Sequence, residues 1–282
     1  MVKTKKKVIA LFVGWAVTHI ISSPAFAQKI YFEQGYAHND YLHKKPLFDA
    51  LENGYTHIEA DIFLYKDSLI VAHWFPYMKD KRTLESLYLA PLKQYLQLNN
   101  CNSCIGTPPI TLVIDIKSSP KKTYPALKIL LEKYSSMLSC YENGVFKQGK
   151  VNIVITGRKP IDLIKKETRR LVMMDDFLDH TSGDINNSLF AMASCKYSKI
   201  LNWKGKGQLP ENEKNKLRYL VNQAHRQGKK ARLWASPENE KVWDELLKCG
   251  IDYINTDRLT KLKSFYMSNY ISLQSQIQQS NY

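Results

Sequence analysis

The sequence has 282 residues, and its 41 lysines and arginines outnumber its 26 aspartates and glutamates, which gives a formal net charge of +15. This length suits one large domain, because a barrel of eight strands and eight helices typically needs about 250 residues. The positive charge favours anionic partners such as phosphate esters and phospholipid headgroups. The basic residues are scattered, and the sequence has no recognised nucleic-acid-binding, P-loop or dinucleotide-binding motif, so we expect neither nucleic acid nor a nucleotide cofactor.

Residues 1–27 have the three parts of a secretory signal peptide. Four lysines precede a mostly apolar run from Val8 to Ile21, and Ala25 and Ala27 fit the small-x-small cleavage rule. The apolar run is too short for a comfortable transmembrane helix. We therefore expect export to the periplasm or secretion. Loss of the four lysines leaves 37 basic and 26 acidic residues, a net charge of +11.

Beyond residue 27, apolar strand patterns alternate with helical patterns, which is the order of a parallel α/β fold. No internal repeat and no Pro- or Gly-rich linker divides this region. We predict a single TIM (β/α)8 barrel over residues 28–262 and a polar, glutamine-rich tail over 263–282. The eight predicted strands are Gly35–His38, His57–Phe63, Thr111–Ile116, Asn152–Thr156, Leu171–Met174, Leu189–Ala193, Ala231–Trp234 and Tyr253–Asn255.

Two carboxylates lie on one face of the second predicted strand. Glu59 and Asp61 are two residues apart, so their side chains point to the same side, and the apolar residues between them indicate a strand covered on both faces. Two neighbouring carboxylates repel each other unless a cation lies between them. His38 ends the first strand, and His73 follows a short returning strand at 69–72. This pattern favours a metal-assisted acid–base site over a solvated surface pair.

A longer excursion separates the returning strand from the third barrel strand. Leucines at helical spacing predict a helix over residues 83–98, with Thr83 as its N-cap. Cys101 and Cys104 follow in a C-x-x-C sequence. In an exported protein we expect this pair to form a small structural disulfide.

Three further strand ends carry polar or aromatic residues. Asp115 and Lys117 share a face at the C-terminal end of the third strand, where barrel active sites are built, although an ion pair closing the strand explains the same pattern. At the end of the fourth strand, Gly157 lets backbone N–H groups approach an anion, and Arg158 can add a bidentate phosphate contact. Trp234 ends the seventh strand, where it either walls a substrate pocket or fills the core.

The segment between the two histidines resembles a known signature. In the glycerophosphodiester phosphodiesterase and phosphatidylinositol phospholipase C-like superfamily, a histidine on strand one is followed by Glu-x-Asp on strand two and then by a second histidine. Here these are His38, Glu59-Ala60-Asp61 and His73. Trp234 and residues 250–257 resemble the closing pattern of the same superfamily, so the resemblance covers both ends of the barrel.

The sequence also departs from that pattern. Asn39 and Asp40 stand where glycerophosphodiesterases have Arg-Gly, and Trp74 stands where aspartate is usual. The match is closer to a poorly characterised bacterial subgroup of the superfamily. The resemblance therefore transfers the reaction class better than the substrate.

The resemblance implies a metal-dependent phosphodiesterase. Glu59, Asp61 and Asp115 are the implied ligands of a divalent cation, and an all-oxygen ligand set favours Ca²⁺ or Mg²⁺. His38 and His73 are the implied general acid and base. The residues expected to bind phosphate or substrate beside them are Lys117, Asn39, Arg158 and Trp234.

The expected substrate is a small-molecule or lipid phosphodiester, and the positive charge is compatible with peripheral contact with an anionic membrane surface. Two alternatives stay open. One is a catalytically inactive barrel that binds a phosphorylated ligand or lipid; the other is a metal-independent lyase with an arginine in place of the cation. The carboxylate pair also predicts that Glu59→Ala leaves folding nearly intact, because it relieves repulsion.

Overall fold

A computed structural model describes residues 31–74, 82–98, 108–179 and 189–280, with side chains as far as residue 269. The predicted signal peptide and the Cys101–Cys104 pair lie outside the described residues. Cys140, Cys195 and Cys249 are free thiols. None of the helices in the described ranges is long and apolar enough to cross a membrane.

Eight parallel strands close into a barrel, as predicted. Their order around the barrel is β1, β2, β4, β7, β9, β10, β11 and β12, and pairing of β1 with both β2 and β12 closes it. β3 pairs antiparallel with β2, and β5, β6 and β8 form a separate small sheet. The strands are β1 (Phe32–Ala37), β2 (Tyr55–Tyr65), β3 (Ser68–Val71), β4 (Ile110–Ile116), β5 (Cys140–Glu142), β6 (Val145–Lys147), β7 (Val151–Gly157), β8 (Arg169–Arg170), β9 (Met173–Phe177), β10 (Phe190–Lys196), β11 (Lys230–Trp234) and β12 (Tyr253–Thr256).

Helices follow most barrel strands. The helix predicted over 83–98 is present as a π-helical turn, Glu85–Leu89, that runs directly into α2. Short 3-10 turns lie at Asp40–Leu42, Ser135–Met137 and Tyr197–Lys199. The helices are α1 (Phe48–Glu52), α2 (Ala90–Leu98), α3 (Pro120–Glu132), α4 (Ile161–Lys165), α5 (Glu211–Arg226), α6 (Glu240–Lys248) and α7 (Leu259–Ser280).

The alternation along β2 determines where the acidic residues lie. Ile58, Ala60 and Ile62 are fully buried in the main hydrophobic core. Because neighbouring side chains on a strand point to opposite faces, Glu59 and Asp61 are directed to the other face, towards the barrel axis. In the parallel register of β2 and β4, Asp61 pairs with Asp115, so the two strands place their acids side by side.

The C-terminal helix packs on the outside of the barrel. The rings of Phe32 and Tyr266 lie 4.4 Å apart, and those of Trp243 and Phe265 lie 5.6 Å apart. The boundary predicted at residue 262 therefore falls inside α7, whose first turns belong to the packed domain. The apolar residues at these two positions interrupt the otherwise polar composition of the predicted tail.

Asp40, in the turn after β1, is a fully buried carboxylate. Its Oδ2 accepts hydrogen bonds from the backbone N–H of Leu47 at 2.6 Å and from the hydroxyl of Tyr88 at 2.9 Å. Its Oδ1 has no partner within the described ranges. Burial raises the pKa of Asp40 from 3.8 to about 6, since the hydrogen bonds only partly offset the loss of solvent.

The raised pKa predicts how stability depends on pH. The folded protein binds the Asp40 proton more tightly than the unfolded chain, so this contribution is fully present below about pH 4 and is lost as the pH rises to about 6. The expected loss is about 3 kcal/mol of unfolding free energy. Asp40→Asn should abolish it, measured by urea unfolding at several pH values. The exposed control Asp162→Asn should retain it; a wild-type pH dependence in Asp40→Asn would contradict the prediction.

Candidate functional site

The C-terminal ends of the barrel strands surround a cavity of about 440 Å³. Asp61 is fully buried and is not among the residues that line this cavity. Arg158, expected to contact phosphate, is exposed and is not among the lining residues; Lys159 lines the cavity instead. The chain turns at Gly157, where φ is +68°, and the Lys159 ammonium is held inward by the backbone carbonyl of Asp175 at 2.5 Å. The other predicted residues line the cavity and are His38, Asn39, Glu59, His73, Asp115, Lys117 and Trp234.

Glu59, Asp61 and Asp115 form an acidic cluster, the acidic triad. One carboxylate oxygen from each lies within 4.8 Å of the others. The Oδ1 atoms of Asp61 and Asp115 are buried and have no hydrogen-bond partner among the described residues. Unpartnered buried carboxylate oxygens are costly unless a cation or a proton satisfies them. The triad therefore fits a hard divalent cation with oxygen ligands, such as Ca²⁺ or Mg²⁺.

Lys117 neutralises part of the negative charge of the acidic triad. Its Nζ lies 2.7 Å from Oδ2 of Asp115 and 3.2 Å from Oδ2 of Asp61, so the Oδ1 atoms remain on the other side of each carboxylate. Burial disfavours the ammonium, but these two carboxylates outweigh that effect and raise the pKa of Lys117. For Asp61, burial and repulsion by Glu59 raise the pKa to about 6 despite the neighbouring lysine. The Asp115–Lys117 ion pair, which was the other explanation for this sequence pattern, is therefore present together with the acidic triad.

Gly157 makes room for the Asp115 carboxylate. A Cβ at this position would lie 1.8 Å from Oδ1 of Asp115. The matched position is Gly207, which has a similar φ of +66°, but a Cβ added there would have no neighbouring atom within 4 Å. An alanine at either position therefore has the same backbone strain, and only the one at 157 displaces a residue of the acidic triad.

We predict that Gly157→Ala and Gly207→Ala each lose about 1–2 kcal/mol of stability from the left-handed backbone. Only Gly157→Ala should also lose divalent-cation affinity, by at least about 10-fold, because the carboxylate must move. Thermal melts with and without Mg²⁺ or Ca²⁺ measure both effects. Equal cation responses in the two variants would show that the position of Asp115 does not matter for binding.

His38 is oriented by Asp257, at the end of β12. Its Nδ1 lies 2.7 Å from Oδ1 of Asp257. Burial lowers the pKa of His38, but the hydrogen bond to Asp257 and the negative charge of Glu59 outweigh it, so the pKa is raised overall. The same contact lowers the pKa of Asp257 against the effect of its burial. Asp257 lies in the closing motif of the sequence but was not predicted as a site residue.

His73 is held by Tyr41, a residue that the sequence pattern did not reveal. Nδ1 of His73 lies 3.0 Å from the Tyr41 hydroxyl and 3.1 Å from Oδ2 of Asp61. The hydroxyl also lies 2.8 Å from Oδ2 of Asp61 and 2.8 Å from Oδ1 of Asn39. Asn39 has a φ of 48°, a left-handed conformation that asparagine tolerates better than most residues. Its placement makes it a support for Tyr41 at the cavity wall.

Arg232 lies in the centre of the barrel and was also not predicted. It is 3 % exposed, and its Nη1 lies 3.2 Å from Oε2 of Glu59 and 2.9 Å from Oδ1 of Asn255. Removing one partner of a buried ion pair leaves an uncompensated charge, which typically costs about 3–5 kcal/mol. The expectation that Glu59→Ala leaves folding intact considered carboxylate repulsion alone. The contact with Arg232 corrects it, and Glu59 substitutions are expected to destabilise the fold.

A family model and the similar proteins agree on the family of this chain. The family model of the AIM6-like phosphodiesterase domain matches residues 25–175. The chain is similar to Altered inheritance of mitochondria protein 6 of Eremothecium gossypii, with 29% identity over 266 residues that cover 82% of this chain and 68% of the relative. It is also similar to the homolog of that protein from Arthroderma benhamiae, with 26% identity over 267 residues, 82% of this chain and 83% of the relative. A phosphodiesterase-type family is thereby confirmed, and the assignment to a bacterial subgroup stays a prediction.

Proposed function

The chain belongs to the AIM6-like phosphodiesterase family, and on that premise we propose that it cleaves a phosphodiester of the glycerophosphodiester or phospholipid type with the help of a divalent cation. The observation that supports this most directly is the acidic triad with its unpartnered oxygens, at a cavity that two histidines also line. Each histidine has its own carboxylate partner, Asp257 for His38 and Asp61 for His73. These are the groups that a diester reaction needs for charge neutralisation and for two proton transfers.

A divalent cation held by Glu59, Asp61 and Asp115 would neutralise negative charge that develops on the phosphoryl oxygens. Lys117 contributes to the same task from the protein side, because its ammonium lines the cavity and its pKa is raised, so it stays charged. The carboxylates of Asp61 and Asp115 hold this ammonium at the edge of the acidic triad.

The two histidines supply the proton transfers. Each uses Nδ1 for its contact inside the protein, so Nε2 is the ring nitrogen left for the substrate. One imidazole takes the proton from the attacking water or hydroxyl, and the other gives a proton to the leaving oxygen. An imidazole suits both roles because its ordinary pKa lies near 6.5.

The role of Asp257 gives a pH prediction. Asp257 raises the pKa of His38, so Asp257→Asn should lower that pKa, by an amount that solvent screening limits because the carboxylate is half-exposed. In the pH profile of kcat/KM, the limb that His38→Ala flattens should move to lower pH in Asp257→Asn. The charge-retaining Asp257→Glu is the control. A limb that stays in place in Asp257→Asn would mean that Asp257 does not set the basicity of His38.

The proposed function is tested by assaying the purified chain against glycerophosphodiesters, phospholipids and bis(p-nitrophenyl) phosphate, with EDTA and with added Mg²⁺ or Ca²⁺. We expect cleavage only with added cation. Cleavage of none of these diesters under any condition would favour the inactive binding barrel.

The metal-independent alternative has one specific observation in its favour. Arg232 and Lys117 already contact all three members of the acidic triad at 2.7–3.2 Å, so protein cations can carry part of the neutralisation. Full activity after exhaustive chelation, together with its loss in Arg232→Gln but not in a comparably destabilised variant, would support the lyase. We favour the metal-dependent reaction because the Oδ1 atoms of Asp61 and Asp115 stay unpartnered in the described structure despite these contacts.

We also propose that the protein is exported and acts at anionic membrane surfaces. The signal-peptide pattern of residues 1–27 and the charge of +11 after its removal support export and attraction to anionic lipid. Trp74, next to His73, is 66% exposed and can reach a lipid surface beside the cavity. N-terminal sequencing of the exported protein should begin at Gln28, and binding to vesicles should increase with their content of anionic lipid. An uncleaved cytoplasmic product would contradict export.

A further inference from the structure

The cavity has a second half that the proposed chemistry does not use. The acidic triad lies on β2 and β4, whereas β10 and β11 lie on the opposite side of the closed barrel. We call the part of the cavity lined by side chains that follow or end β7, β9, β10 and β11 the distal half; β7 borders β4, and the other three strands continue to the far side of the barrel. Its charged and aromatic members are Lys159, Phe177, Asp179, Lys196, Lys199 and Trp234.

The carboxylates around the distal half already have partners. Asp175 accepts hydrogen bonds from Thr156 at 3.0 Å and from Ser194. The buried Asp176 pairs with Lys229 at 2.6 Å. A second ion pair, with its atoms 2.8 Å apart, joins Asp179 and Lys199. Asp176 and Asp179 therefore have other lysines as partners, whereas Asp175 interacts electrostatically with Arg232 and with one of the two remaining lysines of the distal half.

Those two lysines are Lys159 and Lys196. Neither forms an ion pair with a carboxylate in the part of the chain that the structure describes. Lys159 is partly buried, and its ammonium gives one hydrogen bond to the carbonyl of Asp175 at 2.5 Å. An ammonium has three donors, so Lys159 can still donate into the cavity. Asp175, Asp176 and Asp115 act on this ammonium from beyond ion-pair distance, so a partly desolvated cation is left that can attract an anion more strongly than a solvated one does.

The aromatic side chains beside these two lysines indicate which charge a substrate group needs in order to bind in the distal half. The Lys159 ammonium lies 3.7 Å from the centre of the Phe177 ring, and the Lys196 ammonium lies 5.8 Å from that of Trp234. Exposed aromatic faces would otherwise attract a quaternary ammonium such as choline. Here lysines of the protein occupy those positions, so a cationic substrate group would meet like charge. An anionic group would meet two cations.

We propose that the distal half binds a second anionic group of the substrate, a phosphate or a carboxylate carried by one of its alcohols, through Lys159 and Lys196. This specificity rests on the proposed function for the scissile phosphodiester. It makes the preferred substrate a diester with an additional negative charge, and it selects against choline esters. The cavity of about 440 Å³ extends over both halves, which allows both groups of one molecule to bind together.

A binding series tests the proposal without relying on turnover. The probes are alkyl monophosphates of three to six carbons whose far end is a hydroxyl, a trimethylammonium, a carboxylate or a second phosphate, titrated calorimetrically in the presence of Mg²⁺. The anionic ends should bind at least about 10-fold tighter than the hydroxyl, and the trimethylammonium should bind weakest. The carboxylate and phosphate arms show which anion is preferred. Equal affinities, or tightest binding of trimethylammonium, would overturn the proposal.

Variants assign the effect to the two lysines. Lys159→Gln should remove most of the preference for an anionic end, and Lys196→Gln should reduce it a few-fold, because Lys196 is exposed and its charge is screened. The control Lys241→Gln removes an exposed charge on α6, outside the cavity lining, and should keep the preference. Thermal melts check folding, and Lys196→Gln keeps the test valid if Lys159→Gln is unstable. A preference that persists in both variants would overturn the assignment.

The two levels of the proposal can fail separately. Cleavage of diesters without any preference for an anionic end would leave the proposed function in place and refute the specificity. A lysine-dependent preference in a protein that cleaves no diester would support the binding site and refute the catalytic function.

Discussion

Replacing either His38 or His73 with alanine is expected to lower kcat by about 10²–10⁴-fold on ordinary phosphodiesters, the usual effect of losing a proton-transfer group. Both rings lie at the surface of the cavity and are only partly buried, so the loss of packing should be small. The effect on activity should therefore greatly exceed the effect on the free energy of unfolding. Steady-state kinetics and urea unfolding of the same preparations separate the two.

Two further measurements test whether the histidines act in one step. The double variant should be scarcely slower than the slower single variant, because groups that act together are not additive. A diester with a nitrophenol leaving group needs little protonation as that group departs. On this substrate the variant that lacks the general acid should recover, and the other should not. Near-wild-type rates in both single variants, or no selective recovery, would mean that the histidines are structural.

The sequence predicted those site residues whose positions follow from the two-residue repeat of a β-strand. Because side chains two apart share a face, the spacing of Glu59 and Asp61 was enough to place both acids on the axis side of β2. Asp115 was then placed beside them because the C-terminal ends of parallel strands meet at one edge of the barrel. The same reasoning located the eight barrel strands, since strands buried on both faces read as short apolar runs.

Contacts between residues that are far apart in the sequence could not be predicted in this way. Asp257 contacts His38 across 219 residues of sequence, and Arg232 contacts Glu59 across 173. Nothing local distinguishes an arginine on a buried strand from one at a solvated strand end, and only the closed sheet shows that Arg232 faces the axis. The error at Arg158 has a similar origin, because the left-handed turn at Gly157 determines which of two adjacent cations enters the cavity. Backbone geometry of that kind cannot be read from residue types alone.

The different partners of Glu59 and Asp61 predict a sharp contrast between two isosteric substitutions. Glu59→Gln leaves the guanidinium of Arg232 buried without its closest carboxylate, because Asp175 lies farther away, at 3.8 Å. We expect it to cost about 3–5 kcal/mol of unfolding free energy. In Asp61→Asn, the amide oxygen can still accept the Tyr41 hydrogen bond. The substitution also removes the negative charge that Glu59 and Asp115 repel. We expect a change within about 1 kcal/mol, towards higher stability without added cation.

Both substitutions should nevertheless lower kcat by at least about 10³-fold, because each removes a ligand of the proposed cation. A cation that binds only the folded protein raises its melting temperature as its concentration increases, so wild type should melt at higher temperature in Ca²⁺ or Mg²⁺ than in EDTA. Neither variant should show that increase. Equal stability of Glu59→Gln and Asp61→Asn would show that the pair with Arg232 contributes nothing to folding. A wild-type response to cation in both variants would remove the acidic triad from the mechanism, even if the histidines prove essential.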